Sequence, residues 1–178
     1  MVSPICLYLS KKEENMRYNK IRKMDISDGP GIRVSIFMQG CSFHCKNCFN
    51  PETHDFNGGK EFTEDTIDKI LELCDNDTIE GLSILGGEPM HPTNIEGTTR
   101  LAKAFKAEYP NKTIWAWSGF LFDRDLKNEE VLNYIDVLVD GQYVDELHNP
   151  TLKWRGSENQ RVIDVQKSLK SGSVVVME

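Results

Sequence analysis

The sequence predicts an α/β fold, an open partial (β/α) barrel with a mostly parallel sheet. Short runs rich in β-branched and aromatic residues alternate with longer amphipathic segments over most of the chain. Strands that alternate with helices are typical of a parallel sheet with right-handed crossovers. The sequence contains four or five such strand–helix units, which are too few to close an eight-stranded barrel.

The first part of the chain carries two predicted strands joined by a turn. Residues 18–24 form a short first strand, and Ile32–Met38, rich in β-branched and aromatic residues, forms a mostly buried one. Between them, Asp28-Gly29-Pro30-Gly31 has the composition of a turn, since its glycines can adopt positive φ. The second strand leads through Gly40 into a loop, where ligands bind in many α/β folds.

The rest of the chain continues the alternation of helices and strands. Thr63 is a suitable N-cap followed by acidic residues, so a helix is predicted from there to about Asp75. A second helix is predicted over Ile95–Glu108. The remaining predicted elements are strands over 82–85, 113–117, 136–139 and 161–165, a brief helix over 129–134 and an edge strand over 174–177.

Length and local composition indicate how the chain is organised. The chain has 178 residues, enough for one domain with a substantial core. Residues 1–15 do not match the pattern of the fold, and their apolar run is too short for a signal peptide. We expect 1–15 to be an N-terminal extension that is disordered or not native. Met16 would then be the start of a single domain over 16–178.

The charge balance argues against two classes of partner. Twenty-one basic residues against 28 acidic ones give a net charge of −7. Nucleic acids and acidic membranes both attract basic surfaces, so neither is expected as a partner. The longest apolar runs are also far shorter than a membrane-spanning helix requires.

One eight-residue stretch carries the strongest chemical signal. Cys41, Cys45 and Cys48 are spaced so that one loop can turn all three thiols toward one point. A closed structural zinc site needs four protein ligands, whereas a cubane iron–sulfur cluster held by three cysteines leaves one iron open. The spacing therefore favours a three-cysteine cluster site. A Cys3His zinc site that uses His44 or His54 is the alternative.

Cysteine usage also bears on the compartment. The chain has five cysteines, an odd number, and three of them lie in one short loop. A secreted disulfide framework would distribute them in pairs, so a reducing, cytoplasmic location is expected. Cys74 shares a helical stripe with Ile67 and Ile70, which predicts a buried apolar role.

The motifs together resemble a known superfamily. Cys-x3-Cys-x2-Cys after a strand, with Gly86-Gly87-Glu88-Pro89 about forty residues later, resembles the radical S-adenosylmethionine (SAM) superfamily. Asp28-Gly29-Pro30-Gly31-Ile32-Arg33 resembles the activating enzymes of glycyl-radical enzymes. Three further segments are similar to the activating proteins of anaerobic ribonucleoside-triphosphate reductase; they are the sequences at 115–119, 137–141 and 154–160. The likeness covers roughly residues 16–165.

The resemblance implies a specific activity. Cys41, Cys45 and Cys48 would hold a [4Fe-4S] cluster whose fourth iron binds SAM. One electron from the cluster would cleave SAM to methionine and a 5′-deoxyadenosyl radical. That radical would take a hydrogen atom from a glycine of the reductase and leave a glycyl radical there. A flavodoxin or ferredoxin is the expected electron donor. The cofactors carry this chemistry, so no catalytic side chain is assigned.

The resemblance also implies which residues contact SAM. Glycines after the strand would let the main chain approach the methionine part, and a nearby carboxylate or carbonyl would accept from its ammonium group. Residues at the end of the cysteine loop would contact the nucleoside, in part through main chain. The implied SAM contacts are Gly86, Gly87 and Glu88 for methionine and Asn47, Cys48 and Phe49 for the nucleoside, with Asn50 a further candidate.

Two other functions stay open from the sequence. The chain could activate another glycyl-radical enzyme or act on a small molecule by radical SAM chemistry. It could also be a zinc-stabilised binding module without enzymatic activity. Colour distinguishes the last from the others, because an iron–sulfur protein is brown and a zinc protein is colourless.

Overall fold

The computed structural model describes residues 16–177, which form one mixed sheet of seven strands with three α-helices. The strands are β1 (Arg17–Asp25), β2 (Ile32–Met38), β3 (Lys60–Glu61), β4 (Ile79–Gly86), β5 (Thr113–Ser118), β6 (Val137–Asp140) and β7 (Arg161–Asp164). The helices are α1 (Glu64–Cys74), α2 (Ile95–Glu108) and α3 (Val165–Ser171). Short 3-10 helices cover Pro51–Thr53, Glu130–Asn133 and Asp145–Leu147. The extension predicted over 1–15 lies outside the described residues.

The sheet is mixed, and the prediction of a mostly parallel sheet is wrong. Its strand order is β3-β1-β2-β4-β5-β6-β7. The four strands β2, β4, β5 and β6 run parallel, but β1, β3 and β7 pair antiparallel, so three of the six pairings within 16–177 are antiparallel. The connections explain this. A parallel return needs a crossover of a dozen or more residues, whereas β1 and β2 are joined by residues 26–31 alone.

Most predicted elements are confirmed. β2 and α2 occupy the predicted ranges, and α1 begins after Thr63, whose backbone N–H donates to Thr66 Oγ1 at 3.1 Å. The predicted helix over 129–134 is a 3-10 helix. The strand β3 and the helix α3 were not predicted, nor were the 3-10 helices Pro51–Thr53 and Asp145–Leu147. The expected edge strand over 174–177 is reduced to a bridge between Ile163 and Val176.

Helices cover one face of the sheet. Side chains on this face alternate along each strand with those on the other face, as the two-residue period of a strand requires. They pack with α1 and α2 into the main core, where Cys74 is buried as predicted. The main-core side chains of the central strands are Val34, Ile36 and Met38 of β2, Leu82 and Ile84 of β4, Ile114 and Ala116 of β5, and Leu138 of β6.

The opposite face is more polar and carries a smaller apolar cluster. Trp115, Val137, Val139 and Val162 form this cluster on β5, β6 and β7. The neighbouring positions on β2 and β4 hold polar side chains instead, among them Arg33. The turn between β1 and β2 lies against this face, so a loop takes the place of a helical layer here.

A buried arginine holds that turn in place. Arg33 Nε donates to Ser83 Oγ at 2.8 Å, Nη1 to the Pro30 carbonyl at 3.3 Å and Nη2 to the Leu82 carbonyl at 2.9 Å. Ser83 Oγ in turn donates to the Asp28 carbonyl at 2.5 Å. Burial lowers the pKa of Arg33 to about 10, so the guanidinium stays charged at neutral pH. Arg33 therefore connects the turn to the middle of the sheet.

Replacing Arg33 should destabilise the whole domain. Arg33→Met keeps the apolar stem but leaves several buried acceptors without donors, and we expect it to lower the free energy of unfolding by about 3 kcal/mol. Urea unfolding followed by circular dichroism measures this. Arg124→Ala is the control, because Arg124 is exposed and bonds to its neighbour Asp125. A loss below about 1 kcal/mol for Arg33→Met would contradict a role in holding the turn.

Candidate functional site

A cavity of about 370 Å³ opens where the parallel strands end. Residues just beyond β2, β4, β5 and β6 all contribute, because parallel strands bring their carboxyl ends to one edge of a sheet. The β1–β2 turn and the loop after β6 complete the wall. Its lining includes Ser27, Asp28, Cys41, Cys45, Cys48, Phe49, Asn50, His54, Gly86, Gly87, Glu88, Trp117, Gly119, Trp154 and Arg155.

The structure brings the three predicted cluster cysteines to this cavity. Cys41 is buried, and Cys45 and Cys48 are partly exposed. The Cys48 N–H donates to the Cys45 carbonyl at 3.2 Å and closes a turn between them. Burial raises the pKa of the Cys41 thiol to about 11 and raises that of Cys48 as well. A positively charged metal centre would reverse this effect, since thiolates are the form that binds metal.

Main-chain amides around the sulfur atoms suit thiolates. The main-chain N–H groups of Phe43 and His44 lower the pKa of the Cys41 thiol against the effect of burial. The Asn50 N–H donates to Cys48 Sγ at 3.4 Å. Hydrogen bonds to sulfur are one of the means by which proteins set iron–sulfur potentials. The cysteines and their amide donors therefore fit an iron–sulfur cluster.

The same geometry does not match the zinc alternative. Among residues 16–177, no three cysteine, histidine, aspartate or glutamate side chains come close enough to bind a single metal ion. His44 and His54 face each other instead, with their Nδ1 atoms 3.2 Å apart. A structural zinc ion needs four donors around one point. A cluster spreads its cysteines over separate irons, which agrees better with thiols placed around a cavity.

The loop after β4 lies directly against the start of the cysteine loop. The Gly87 N–H donates to the Met38 carbonyl and the Glu88 N–H to the Gly40 carbonyl, each at 2.9 Å. A Cβ atom on Gly87 would lie 2.6 Å from the Gly40 oxygen. Gly86 has a φ of +104°, which side-chain-bearing residues rarely adopt. The packing of these two loops thus requires both glycines, whatever binds beside them.

Glu88 is buried and joins the ends of β4 and β5. Its Oε1 accepts from the Met90 N–H at 2.9 Å and from Ser118 Oγ at 2.7 Å, and its Oε2 accepts from the Gly119 N–H at 2.7 Å. Burial raises the pKa of Glu88 to about 7, although these donors favour the charged form. The carboxylate therefore holds two loops together at the cavity wall.

Two buried carboxamides that sequence reasoning missed complete this arrangement. Gln39 Nε2 donates to the Glu52 carbonyl at 3.1 Å and to the Asp55 carbonyl at 2.7 Å. Asn94 Nδ2 donates to the carbonyls of Gln39 and Glu88, each at 3.0 Å. Asn94 occupies the N-cap position of α2, yet its side chain does not cap the helix. Only the folded arrangement shows that these side chains connect loops.

The loop after β6 forms the far wall. Trp154 has a φ of +66°, an unusual value for a bulky residue, and its carbonyl accepts from Trp117 Nε1 at 2.7 Å. Gln160 Oε1 accepts from the Gly156 N–H at 2.9 Å, and Gln160 Nε2 donates to the Gly141 carbonyl at 2.9 Å. The sequence left the role of the segment 154–160 open. In the structure this segment forms one wall of the cavity and is held by hydrogen bonds within the segment and to Trp117 and Gly141.

The end of β6 is fixed by an ion pair with β7. Arg161 donates from Nε to Asp140 Oδ1 at 2.9 Å and from Nη2 to Asp140 Oδ2 at 2.6 Å. Asp140 is fully buried and also accepts from the Phe122 N–H at 2.8 Å. The two carboxylates around Arg161, Asp140 first and Asp123 second, raise its pKa. Two-point pairing of this kind fixes orientation as well as distance.

The predicted SAM contacts divide into two groups. Cys48, Phe49, Gly86, Gly87 and Glu88 all line the cavity, as does Asn50. The Phe49 side chain is 65% exposed, and its ring centroid lies 5.2 Å from that of Tyr143. Asn47 is not among the lining residues, since its side chain bonds to Asp145 at 3.0 Å.

Comparison with known proteins identifies the family. The model of a 4Fe-4S single cluster domain matches residues 27–163. The anaerobic ribonucleoside-triphosphate reductase-activating protein of Vibrio cholerae is 40% identical over 148 residues, 82% of this chain and 96% of that protein. The proteins of the same name from Salmonella typhi and Enterobacteria phage T4 are 41% and 40% identical, over 97% and 93% of their lengths.

The chain belongs to the family of anaerobic ribonucleoside-triphosphate reductase-activating proteins. The predicted resemblance to this family is therefore confirmed, as is the presence of a 4Fe-4S cluster domain. The range that the family model matches, 27–163, begins in the β1–β2 turn and ends in β7. The family match thus spans every segment of the cavity wall described above. Within 16–177, no helix has the length and apolar character needed to cross a membrane.

The buried carboxyl of Glu88 should make stability depend on pH. Its pKa rises from 4.5 to about 7 on folding, so the folded chain holds an extra proton between these values. The stabilisation that comes from this proton is fully present below pH 4.5 and is lost as the pH rises to about 7. Over this range the free energy of unfolding falls by at most about 1.4 kcal/mol per pH unit.

Urea unfolding between pH 4.5 and 7.5 tests this on the chain purified without iron. We expect the unfolding free energy of the wild type to fall with pH relative to that of Glu88→Gln. Asp28, whose pKa burial also raises to about 7, contributes equally to both proteins. Glu72→Gln on exposed α1 surface is the control. Parallel pH profiles for wild type and Glu88→Gln would contradict the assignment.

Proposed function

We propose that this chain cleaves SAM reductively and generates a glycyl radical on an anaerobic ribonucleoside-triphosphate reductase. The observation that carries the proposal is the set of three cysteines at one cavity, Cys41, Cys45 and Cys48. The fourth described cysteine, Cys74, is buried in the core between sheet and helices. Membership of a family whose members are named for activating this reductase supports the choice of partner.

The cofactors would supply the chemistry and the chain would supply their placement. Cys41, Cys45 and Cys48 would hold one [4Fe-4S] cluster, which when bound passes one electron to SAM to give methionine and a 5′-deoxyadenosyl radical. That radical would take one hydrogen atom from the partner's glycine, which would leave 5′-deoxyadenosine and a glycyl radical. No side chain of this chain is proposed as a general acid or base.

The loop after β4 and the end of the cysteine loop would hold SAM. Gly86, Gly87 and Glu88 would face its methionine part, where main-chain carbonyls and the remaining lone pairs of the carboxylate can accept from the ammonium group. Asn47, Cys48 and Phe49 would face the nucleoside. Because the Asn47 side chain bonds to Asp145, only its main chain would take part.

Arg155 is available for the carboxylate of SAM. It lines the cavity and donates from Nη1 to the Gln160 carbonyl at 2.5 Å. Its neighbours Trp154 and Gly156 form the hydrogen bonds described above, so the loop that carries the guanidinium is fixed to the cavity wall on both sides of Arg155. The acidic residues and thiols that share the wall offer no attraction to a carboxylate, whereas a guanidinium does.

The fold fits the proposed partner. We propose that the sheet with one helix-covered face is an open partial barrel of the radical SAM type, within a single domain over 16–178. The cavity is open at the strand ends, so a glycine of a folded partner could reach it. A flavodoxin or ferredoxin would supply the electron, and free cysteines beside the cavity favour a reducing location, the cytoplasm.

Cysteine substitutions test the cluster. We expect Cys41→Ala, Cys45→Ala or Cys48→Ala to lose iron binding and SAM cleavage together, because each removes one of three ligands. Iron content and 5′-deoxyadenosine formation are measured after anaerobic reconstitution. Cys74→Ala, in the core, should keep both. A Cys45→Ala protein that retained both would contradict the assignment.

The choice of partner is tested separately. The reconstituted chain is incubated anaerobically with SAM, a reductant and the candidate reductase, and electron paramagnetic resonance should detect a glycyl radical. If SAM were cleaved without a glycyl signal, the reductase would be the wrong substrate while the radical SAM activity would stand.

The role of Arg155 is tested with two ligands. We expect Arg155→Gln to weaken SAM binding about 10- to 100-fold, since a charge-assisted hydrogen bond is lost. Decarboxylated SAM should bind equally to wild type and Arg155→Gln. Equilibrium dialysis measures both affinities, with Arg124→Gln as the exposed control. Equal losses for the two ligands would show that Arg155 does not contact the carboxylate.

A further inference from the structure

One aspartate links the cysteine loop to the loop after β6. Asp145 Oδ2 accepts from Asn47 Nδ2 at 3.0 Å and lies 3.3 Å from Lys46 Nζ. Its other oxygen, Oδ1, accepts from the Tyr143 hydroxyl at 3.2 Å. The Asn47 bond is the main reason that the pKa of Asp145 lies below its usual range. Asp145 therefore receives three donors, two of them from the cysteine loop.

Those two donors lie between two of the cysteines. Residues 45–48 form a turn in which the Cys48 N–H donates to the Cys45 carbonyl. Asn47, the third residue of the turn, has a φ of +54°. A turn with positive φ at this position favours glycine, and asparagine is one of few other residues that tolerate it. The bond to Asp145 holds Asn47 in that conformation from outside the turn.

The turn has few other supports. Lys46 and Asn47 are exposed, and Cys45 and Cys48 are only partly buried. The aromatic contacts of the cysteine loop lie outside the turn. Before it, the rings of Phe43 and Phe120 pack with their centroids 4.9 Å apart. The turn itself is contacted by Asp145 through Asn47 and Lys46, by Glu146 through Lys46, and by the Asn50 N–H at Cys48 Sγ. Of these, the bond from Asp145 is the one made to Asn47, the residue with positive φ.

We infer that Asp145 is a positioning residue that fixes the turn carrying Cys45 and Cys48, and thereby sets how these two thiolates meet the cluster. The role in cluster binding rests on the proposed function, but the role in holding the turn does not. Asp145 acts through Asn47, so its neighbour Glu146, whose side chain pairs with Lys46 and not with Asn47 in the described part of the chain, provides a matched comparison.

Three variants separate the contacts. Asp145→Ala removes all of them, and Asp145→Asn keeps an acceptor oxygen for Asn47 while it removes the charge. Glu146→Ala removes an acidic partner of Lys46 and leaves Asn47 bonded. Thermal unfolding of each full-length variant shows first that the domain is intact.

The first measurement needs no cluster. Hydrogen exchange of the Cys48 amide, followed on the full chain purified without iron, reports how often the turn opens. We expect Asp145→Ala to speed this exchange about tenfold, as loss of a hydrogen bond to a charged group predicts. Asp145→Asn and Glu146→Ala should stay within about twofold of wild type.

The second measurement uses the anaerobically reconstituted chain. Iron release to a chelator should be about tenfold faster for Asp145→Ala, with rescue by Asp145→Asn. The paramagnetic resonance spectrum of its reduced cluster should broaden. Unchanged Cys48 exchange in Asp145→Ala, or an equal effect of Glu146→Ala, would overturn the inference. If the wild type failed to bind a cluster, the proposed function would fail while the exchange result would still decide the role of Asp145.

Discussion

The loop after β4 and the start of the cysteine loop lie so close together that no side chain fits between their main chains. The Gly87 and Glu88 N–H groups donate to the Met38 and Gly40 carbonyls, which extends the parallel pairing of β2 and β4 beyond the strands. A Cβ on Gly87 would approach the Gly40 oxygen to 2.6 Å. This contact places Cys41 beside the loop after β4, so the cysteines and the proposed methionine contacts share one cavity.

Buried polar side chains then fix the loops around that contact. Glu88, Asn94 and Asp140 are each almost fully buried, and each bonds to main-chain groups of another loop or strand. The free-energy cost of leaving a buried polar group without partners exceeds the net free energy that its hydrogen bonds contribute when it is paired. A shift of the loops that these three side chains join would break such a bond. The walls of the cavity that they join are therefore held in place, which suits the proposed role of orienting cofactors.

The asymmetry of the sheet gives the cavity its opening. Helices cover the face that holds the main core, while the other face carries the β1–β2 turn, bound through Arg33, and a small cluster around Trp115. The antiparallel strands β1, β3 and β7 flank the four parallel ones, so the sheet formed by residues 16–177 ends at the antiparallel edge strands β3 and β7. A protein partner can approach a cavity at the strand ends of such a sheet more easily than a cavity enclosed by an eight-stranded barrel.

The sequence alone predicted most local elements and the family, and it proposed three cysteines as cluster ligands. Periodicity and end signals are local, so β2 and α2 were located to the residue. Asp164 at the N-cap and Gly172 after the end also mark α3, but a seven-residue helix directly after a strand has little periodicity to detect. Only the tertiary structure decided the strand directions at the edges and the roles of Gln39, Asn94 and Asp145. Their partners are distant in the chain, and no local pattern encodes a hydrogen bond between loops that only folding brings together.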